Sequence, residues 1–176
     1  TVNNHHHRCE VGVPHFTPPE LQHITSFRDV TRTANHDNFG IAVLLFHILV
    51  MGRHPYAGVY SGRGDMPIEK AIAENRYAYS RNPTRWSMTP PPQGAGIETL
   101  PAPIVDLFEK AFSPEAGTHG TRPRASIWRG ELDKLLAQMT ACASDHHFAR
   151  GLSECPWCRL ARDQGITYFY SARQRA

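Results

Sequence analysis

An apolar segment covering residues 39–51 constrains the fold of this chain more than any other feature of the sequence. The segment is apolar on nearly every face of a helix, which indicates a helix surrounded by protein. It is too short to cross a bilayer and it contains His47, so a buried core helix is the better interpretation. Asp37 is expected to open this helix, and Gly52 and Pro55 are expected to end it.

Elsewhere the sequence predicts a mainly α-helical chain with long loops between its helices. Two further segments show apolar residues at three- and four-residue spacings, which is typical of amphipathic helices that cover a core. In the second of them, Leu136 is among the residues expected to face that core. The predicted helices are 68–77, 104–112 and 128–139, the predicted loops are the Pro- and Gly-rich stretches 9–21, 56–67 and 80–103, and a β-like run covers 166–170.

Composition limits the classes of protein to which the chain can belong. Hydrophobic residues make up 40% of the 176 residues and charged residues 20%, which favours a packed core over disorder. The net charge of +3 comes without a long basic run, which argues against nucleic acid as a partner. Because no signal-peptide pattern or membrane-spanning segment is apparent, we expect a cytoplasmic protein with no membrane partner.

Three of the four cysteines lie near the C-terminus in the pattern C-x3-H-x8-C-x2-C. Cys155 and Cys158 are separated by two residues, which lets both sulfur atoms reach one tetrahedral metal ion. Cys142 and His146 lie four residues apart near the end of the last predicted helix, a spacing that puts both side chains on one helical face. Together the four residues predict a zinc site, and four protein ligands make that zinc structural rather than catalytic.

Other interpretations of these cysteines stay open at this level. A redox pair requires a βαβ setting that the flanking sequence lacks, and it would leave Cys142 unexplained. A disulfide is disfavoured in the cytoplasm. His147 competes with His146 as the fourth ligand, although on a helix it would point about a hundred degrees away from Cys142.

Four motifs occur in the order and rough spacing found in the C-lobe of protein kinases. Residues 12–20 (GVPHFTPPE) resemble the end of an activation segment, where the P+1 loop precedes the APE motif. Asp37 resembles the aspartate that starts the central C-lobe helix, and residues 52–56 (GRHPY) resemble the G-x-x-P-F segment that follows it. Residues 122–125 (RPRA), with Trp128, resemble the R-P-T-A-x-x-W stretch before the last C-lobe helix. The fold class implied is a mainly α, kinase-like C-lobe over residues 1–140, followed by a small zinc-binding element over residues 141–176.

More narrowly, the chain resembles bacterial kinase-like proteins that carry helix-hairpin-helix segments, some of them linked to tellurite-resistance gene clusters. The strings that carry this resemblance are VGVPHFTPPELQ, NHDNFGIAVLLFHILVMGRHPYAG, SGRGDMPIEKAIAE and the terminal CPWC. A helix-hairpin-helix segment is not identifiable in these residues, so the resemblance implies no DNA binding for this portion.

The resemblance implies structural roles for three charged residues. Glu20 and Arg122 should form the buried ion pair that ties the activation segment to the base of the C-lobe. Asp37 should accept backbone hydrogen bonds from the catalytic loop, and an ordinary helix N-cap is an alternative role that it could hold at the same time.

The P+1-like loop, formed by Gly12, Val13 and Pro14, departs from the kinase pattern at one position. Kinases that phosphorylate Ser or Thr usually have a threonine after the glycine, and its hydroxyl bonds the catalytic Asp and Lys. Val13 stands there instead and offers no hydroxyl. This departure puts Ser/Thr kinase chemistry in doubt even for a complete parent protein.

The function implied is the substrate-docking and scaffold portion of a bacterial Ser/Thr kinase-like protein. The N-lobe lysine, the H-R-D-type loop and the D-F-G aspartate are absent from these residues, so the chain alone is expected to be inactive. ATP and Mg²⁺ would belong only to a complete parent. The alternative is a non-catalytic, pseudokinase-like module that contains zinc and docks another protein. The expected partners are a protein substrate or a regulatory protein, and an uncovered C-lobe face makes self-association possible.

Overall fold

The computed structural model describes residues 10–170, which form seven α-helices, four short strands and three 3₁₀ turns. The helices are α1 (Ala34–Leu49), α2 (Ile68–Ala73), α3 (Pro83–Trp86), α4 (Ala102–Ala111), α5 (Pro114–Thr118), α6 (Ala125–Ala137) and α7 (Pro156–Gln164). The strands are β1 (Val59–Tyr60), β2 (Met88–Thr89), β3 (Met139–Ala141) and β4 (His147–Ala149), and the 3₁₀ turns are Pro14–Phe16, Pro19–Leu21 and Ile97–Thr99. The two sheets are antiparallel pairs, β1 with β2 and β3 with β4.

Helix α1 supplies the centre of the core. Phe39, Val43 and Phe46 are fully buried on one side of it. The ring of Phe46 lies edge-on to Phe108 at 5.0 Å and to Tyr79 at 4.9 Å between ring centroids. An aromatic cluster between α1, α4 and the segment after α2 therefore holds the helical body together.

Both the start and the surroundings of α1 differ from the sequence prediction. The helix begins at Ala34, three residues before Asp37, because the backbone N–H of Thr33 donates to His36 Nδ1 and closes the first turn there. The side of α1 away from the core is open: Leu44 is 52% exposed and Ile48 is 60% exposed. The expectation of a helix surrounded by protein is therefore wrong for that side.

Two predicted boundaries fail where the backbone changes direction. Helix α2 ends at Ala73 rather than near Tyr77, because Asn75 adopts a left-handed conformation with φ of 55°. Tyr77 itself is buried in the core. The predicted loop 80–103 contains α3, β2 and the third 3₁₀ turn, and its last two residues already belong to α4.

The C-terminal part also differs from its prediction. Helix α6 ends at Ala137, Met139 lies in β3, and Leu136 is 74% exposed instead of facing the core. Residues 166–170 form no strand. Helix α7 precedes them, with Pro156 in its first turn and Gly165 closing it in the left-handed region, an arrangement typical of helix ends.

The C-terminal element packs directly on the helical body. Leu160 of α7 is buried in the same core cluster as Phe46 and Trp128. The backbone N–H of Ala95 donates to the Tyr168 hydroxyl at 3.1 Å, which fixes the segment after α7 against the loop before the third 3₁₀ turn. Among the described residues, no helix is long and apolar enough to cross a membrane.

Candidate functional site

A tight hairpin turn brings Cys142 and His146 together. Cys142 follows β3 and His146 precedes β4, and the backbone N–H of Cys142 donates to the His146 carbonyl at 3.1 Å. Asp145 turns the chain with φ of 59°, and its N–H donates to the Cys142 carbonyl. The prediction that a helix would carry these two residues is therefore wrong, because a four-residue spacing also fits a closed hairpin turn.

The start of α7 supplies the other two side chains. Cys155 is the N-cap residue of α7, and Cys158 lies in the first turn, one helical turn later. The two intervening residues, Pro156 and Trp157, are already helical, so both sulfur atoms reach the same end of the helix.

These four side chains converge on one point, with all their ligand atoms within 4.8 Å of one another. The sulfur atoms of Cys142 and Cys158 are 3.7 Å apart, and His146 Nδ1 lies 3.3 Å from Cys158 Sγ and 3.9 Å from Cys155 Sγ. Around a tetrahedral zinc ion, two sulfur ligands lie about 3.8 Å apart and a sulfur and a nitrogen about 3.5 Å apart. The cluster therefore has the dimensions of a metal site with three sulfur ligands and one nitrogen ligand.

The surroundings of the cluster suit metal ligation. The second ring nitrogen of His146, Nε2, donates to the Phe169 carbonyl at 3.1 Å and leaves Nδ1 to face the sulfur atoms. Burial raises the pKa of the Cys142 thiol, but backbone N–H groups of Ser144 and His146 outweigh it and the pKa is lowered. Burial raises the pKa of Cys155 to about 11, so a bound cation would be needed to hold this thiol as a thiolate at neutral pH.

The competing interpretations of the cysteines fare less well. Cys155 and Cys158, the pair that a disulfide would join, are both free thiols, and so is Cys142, whose sulfur lies 3.7 Å from that of Cys158 against a disulfide bond length of about 2.05 Å. His147, the competing fourth ligand, lies outside the cluster, and its carbonyl accepts the Trp157 indole N–H at 2.8 Å.

A second site joins Glu20, in the turn after the P+1-like loop, to Arg122, just before α6. The guanidinium donates two parallel hydrogen bonds to the carboxylate, at 2.6 Å and 2.8 Å. The Arg122 side chain is 2% exposed and that of Glu20 is 32% exposed. The hydrogen bonds from Arg122 lower the pKa of Glu20 below its usual value even though burial acts in the opposite direction.

Three residues that the sequence reasoning missed complete the surroundings of Arg122. Its guanidinium also donates to the backbone carbonyls of Asn35 and Ala111, at 3.2 Å and 3.3 Å. It lies over the Phe39 ring at 5.2 Å from the centroid. Backbone acceptors leave no signal in a sequence, so only Phe39, next to the predicted helix start, could have been found.

The remaining predicted residues lie at the surface. Asp37 is exposed in the first turn of α1. Val13 is 60% exposed, and its carbonyl accepts the Thr17 hydroxyl at 3.0 Å. Gly12 allows close packing, because a Cβ there would lie 2.8 Å from the Phe27 ring. Pro14 starts the first 3₁₀ turn.

A buried histidine anchors the P+1-like loop to the body. His54 Nδ1 accepts the backbone N–H of Tyr56 at 3.2 Å, which leaves Nε2 to donate to the His15 carbonyl at 3.1 Å. The His47 ring also packs against His54, with 5.3 Å between the two ring centroids. Burial lowers the pKa of His54 to about 4, so the ring is neutral at physiological pH. His54 lies within the motif of residues 52–56, but sequence reasoning gave it no role of its own.

Comparison with known proteins gives a relationship for most of the chain. It is 46% identical over 167 residues to "Protein kinase YegI" of Escherichia coli O157:H7, and 45% identical over the same length to the protein of that name in Escherichia coli strain K12. Each match covers 93% of this chain but 25% of the relative, so this chain spans about a quarter of the length of these relatives. The similarity supports a relationship to bacterial kinase-like proteins. No protein-family model and no solved structure matches the chain.

Proposed function

We propose that this chain is the substrate-side portion of a bacterial Ser/Thr protein kinase-like protein, a C-lobe from the end of the activation segment onward. The observation that carries the proposal is the 45–46% identity, over nearly the whole chain, to proteins named as protein kinases. The bidentate ion pair between Glu20 and Arg122 supports it, because such a pair would fix the segment that docks a protein substrate. In this proposal the chain alone transfers no phosphate, and ATP and Mg²⁺ act only in a complete parent.

The Cys/His cluster completes the proposal as a structural zinc site. Cys142, His146, Cys155 and Cys158 would bind the ion through three sulfur atoms and one nitrogen, which leaves no coordination position for a water molecule. The zinc would cross-link the β3–β4 hairpin to α7 and so hold the C-terminal element against the helical body.

A chimera tests the kinase part of the proposal. This chain replaces the matching segment of the K12 relative, and transfer of the γ-phosphate from ATP to the chimera and to casein is measured beside the unmodified relative. We expect transfer by the chimera, and loss of transfer in the chimera that also carries Glu20→Ala. A folded chimera that binds ATP but transfers nothing, both with Val13 and with Val13→Thr, beside an active relative, would contradict the proposal.

One observation favours a non-catalytic alternative, a pseudokinase-like module that contains zinc and docks a protein partner. Val13 stands where Ser/Thr kinases usually carry a threonine, and its side chain can make no hydrogen bond to a catalytic residue. Val13→Thr in the chimera separates the two functions. An inactive chimera that gains transfer with threonine is a kinase scaffold weakened at one position, whereas one that stays inactive supports the non-catalytic module.

A further inference from the structure

A cavity of about 140 Å³ lies between the segment that follows α2 and the junction of α4 with α5. The buried rings of Tyr77 and Phe112 line it, together with the half-buried carboxylate of Glu109. The cavity has room for about five water molecules, at the roughly 30 Å³ that each occupies in the liquid. A ligand that fills it therefore has about as many non-hydrogen atoms as a lysine side chain.

The hydroxyl of Tyr77 is a buried polar group without a partner. Tyr77 is 2% exposed, and among the described residues no group forms a hydrogen bond with its hydroxyl. Burial raises the pKa of Tyr77 well above its ordinary value, and the negative charge of Glu109 acts in the same direction. The hydroxyl therefore stays protonated, and it lies close enough to Glu109 to interact with that charge. Because a buried hydroxyl without a hydrogen bond costs free energy, a ligand in the cavity that supplies one is favoured.

Glu109 gives the cavity an unbalanced negative charge. Its carboxylate accepts the backbone N–H of Arg81 at 2.6 Å and the hydroxyl of Ser80 at 3.3 Å. Both donors are neutral groups, and within the described part of the chain no cationic side chain forms an ion pair with Glu109. A half-buried carboxylate that has hydrogen bonds but no counter-charge attracts a cation.

Two arginines that line the cavity do not provide this cation. The guanidinium of Arg81 donates to Asp106, and that of Arg85 donates to Glu115. Each of these positive charges is therefore balanced by a carboxylate other than Glu109. The cavity and the partners of its arginines together carry one net negative charge, which is that of Glu109.

We propose that this cavity binds a primary ammonium group on a short alkyl chain, with the nitrogen donating to the Glu109 carboxylate and to the Tyr77 hydroxyl oxygen. The rings of Tyr77 and Phe112, whose centroids are 4.9 Å apart, provide the apolar surface against which the alkyl chain packs. A lysine side chain and a free alkylamine share this chemistry. The inference is independent of the proposed function, because it uses neither the ion pair at Arg122 nor the metal cluster.

The test is a titration of the 176-residue chain with n-butylammonium chloride at pH 7 and constant ionic strength, followed by the NMR shifts of the backbone amides. We expect saturable shifts around the cavity, with a dissociation constant in the millimolar range. The uncharged alcohol n-butanol has the same number of non-hydrogen atoms and should bind at least about tenfold more weakly. The absence of saturable shifts overturns the inference, and so does equal binding of the alcohol.

Two matched pairs of variants test the binding groups. Glu109→Gln should weaken binding at least about tenfold, whereas Glu154→Gln, at an acid that does not line the cavity, should leave it unchanged. Tyr77→Phe should weaken binding at least about threefold. Tyr56→Phe is its control, because it removes another buried hydroxyl without a partner, and this one does not line the cavity. Circular dichroism establishes that each variant is folded, and folded Glu109 and Tyr77 variants that bind the amine as tightly as wild type overturn the inference.

A lysine with its backbone amino and carboxyl groups blocked as amides distinguishes the two sources of the ammonium group. Blocked lysine that binds at least as tightly as n-butylammonium identifies the ligand as a lysine side chain of a polypeptide. Weaker binding of blocked lysine identifies it as a free alkylamine. Both results require the contacts with Glu109 and Tyr77, so the same variants should weaken whichever ligand binds.

Discussion

Arg122 joins parts of the helical body that lie far apart along the chain. It contacts the carboxylate of Glu20, the carbonyl of Asn35 at the start of α1, the carbonyl of Ala111 at the end of α4 and the ring of Phe39. A lysine could not replace it, because only a guanidinium presents donors in a planar fork that serves a carboxylate and two carbonyls together.

Removing the carboxylate should therefore cost more than removing an ordinary surface charge. Glu20→Ala leaves the buried guanidinium without its counter-charge, and we expect the free energy of unfolding to fall by about 3 kcal/mol. Asp106→Ala, which breaks the exposed pair with Arg81, is the control and should cost less than about 1 kcal/mol. Urea unfolding measures both variants, and equal losses would show that the Glu20–Arg122 pair contributes no more than a surface pair.

His54 gives the fold a dependence on pH. The folded pKa of about 4 lies below the ordinary value of 6.5, so the unfolded chain binds the proton more readily. The stabilisation is complete above the unfolded pKa and is lost as the pH falls from about 6.5 towards about 4. We expect a loss of about 2 kcal/mol between pH 7 and pH 5, which urea unfolding of wild type measures.

The variant His54→Gln isolates this contribution. It removes the titrating ring while keeping a side chain that can donate to the His15 carbonyl, so the slope between pH 7 and pH 5 should become shallower. A smaller slope should remain, because burial also lowers the pKa of His36 below its ordinary value of 6.5. Glu20 does not affect the slope between pH 7 and pH 5. Its pKa is lowered in the folded chain, so the stability that its carboxylate contributes is lost only below about pH 4.5. An unchanged slope in the variant would assign the pH dependence to another group.

At the scale of elements, the residues of the metal cluster could be predicted from the sequence, whereas the secondary structure that carries them could not. The pattern C-x3-H-x8-C-x2-C was sufficient to identify the four residues whose side chains lie together in the structure. The local structure could not be predicted, because a four-residue spacing fits both one helical turn and the closed turn between β3 and β4. Helix α7 was missed although Pro156 and Gly165 mark its two ends.

Loss of one ligand should disconnect the hairpin from α7. Cys158→Ser removes a sulfur that lies near both Cys142 and His146, and we expect loss of bound zinc and a lower melting temperature. Cys9→Ser is the control, since Cys9 is not one of the four cluster residues and lies outside the described part of the chain. Native mass spectrometry should give one zinc ion per chain for wild type and for Cys9→Ser. Wild type without zinc, purified in the absence of chelators, would exclude the metal site.

At the scale of the whole molecule, the C-terminal element and the helical body share one core. Leu160 of α7 is 1% exposed and belongs to the cluster that contains Phe46 and Trp128. A boundary between two regions could be read from the shift to Cys and His in the sequence. The shared core could not, because it depends on long-range packing that no local pattern encodes.

This packing predicts a single unfolding transition for the described part of the chain. Leu160→Ala should lower the free energy of unfolding by about 2–5 kcal/mol, because it opens a cavity in the shared core. Ile127→Ala, at a half-exposed position of α6, is the control and should have little effect. Calorimetry and circular dichroism should give coincident transitions for wild type, whereas two separate transitions would show that the element unfolds independently.

The positions of the two sites along the chain also bear on the order in which the fold assembles. The four cluster residues lie within residues 142–158, whereas Glu20 and Arg122 are 102 residues apart. Closing a short loop costs less chain entropy and happens sooner than closing a long one. The metal cluster can therefore form early during refolding from denaturant, and the ion pair between Glu20 and Arg122 forms last. In stopped-flow refolding, metal uptake should precede the step that Glu20→Ala slows.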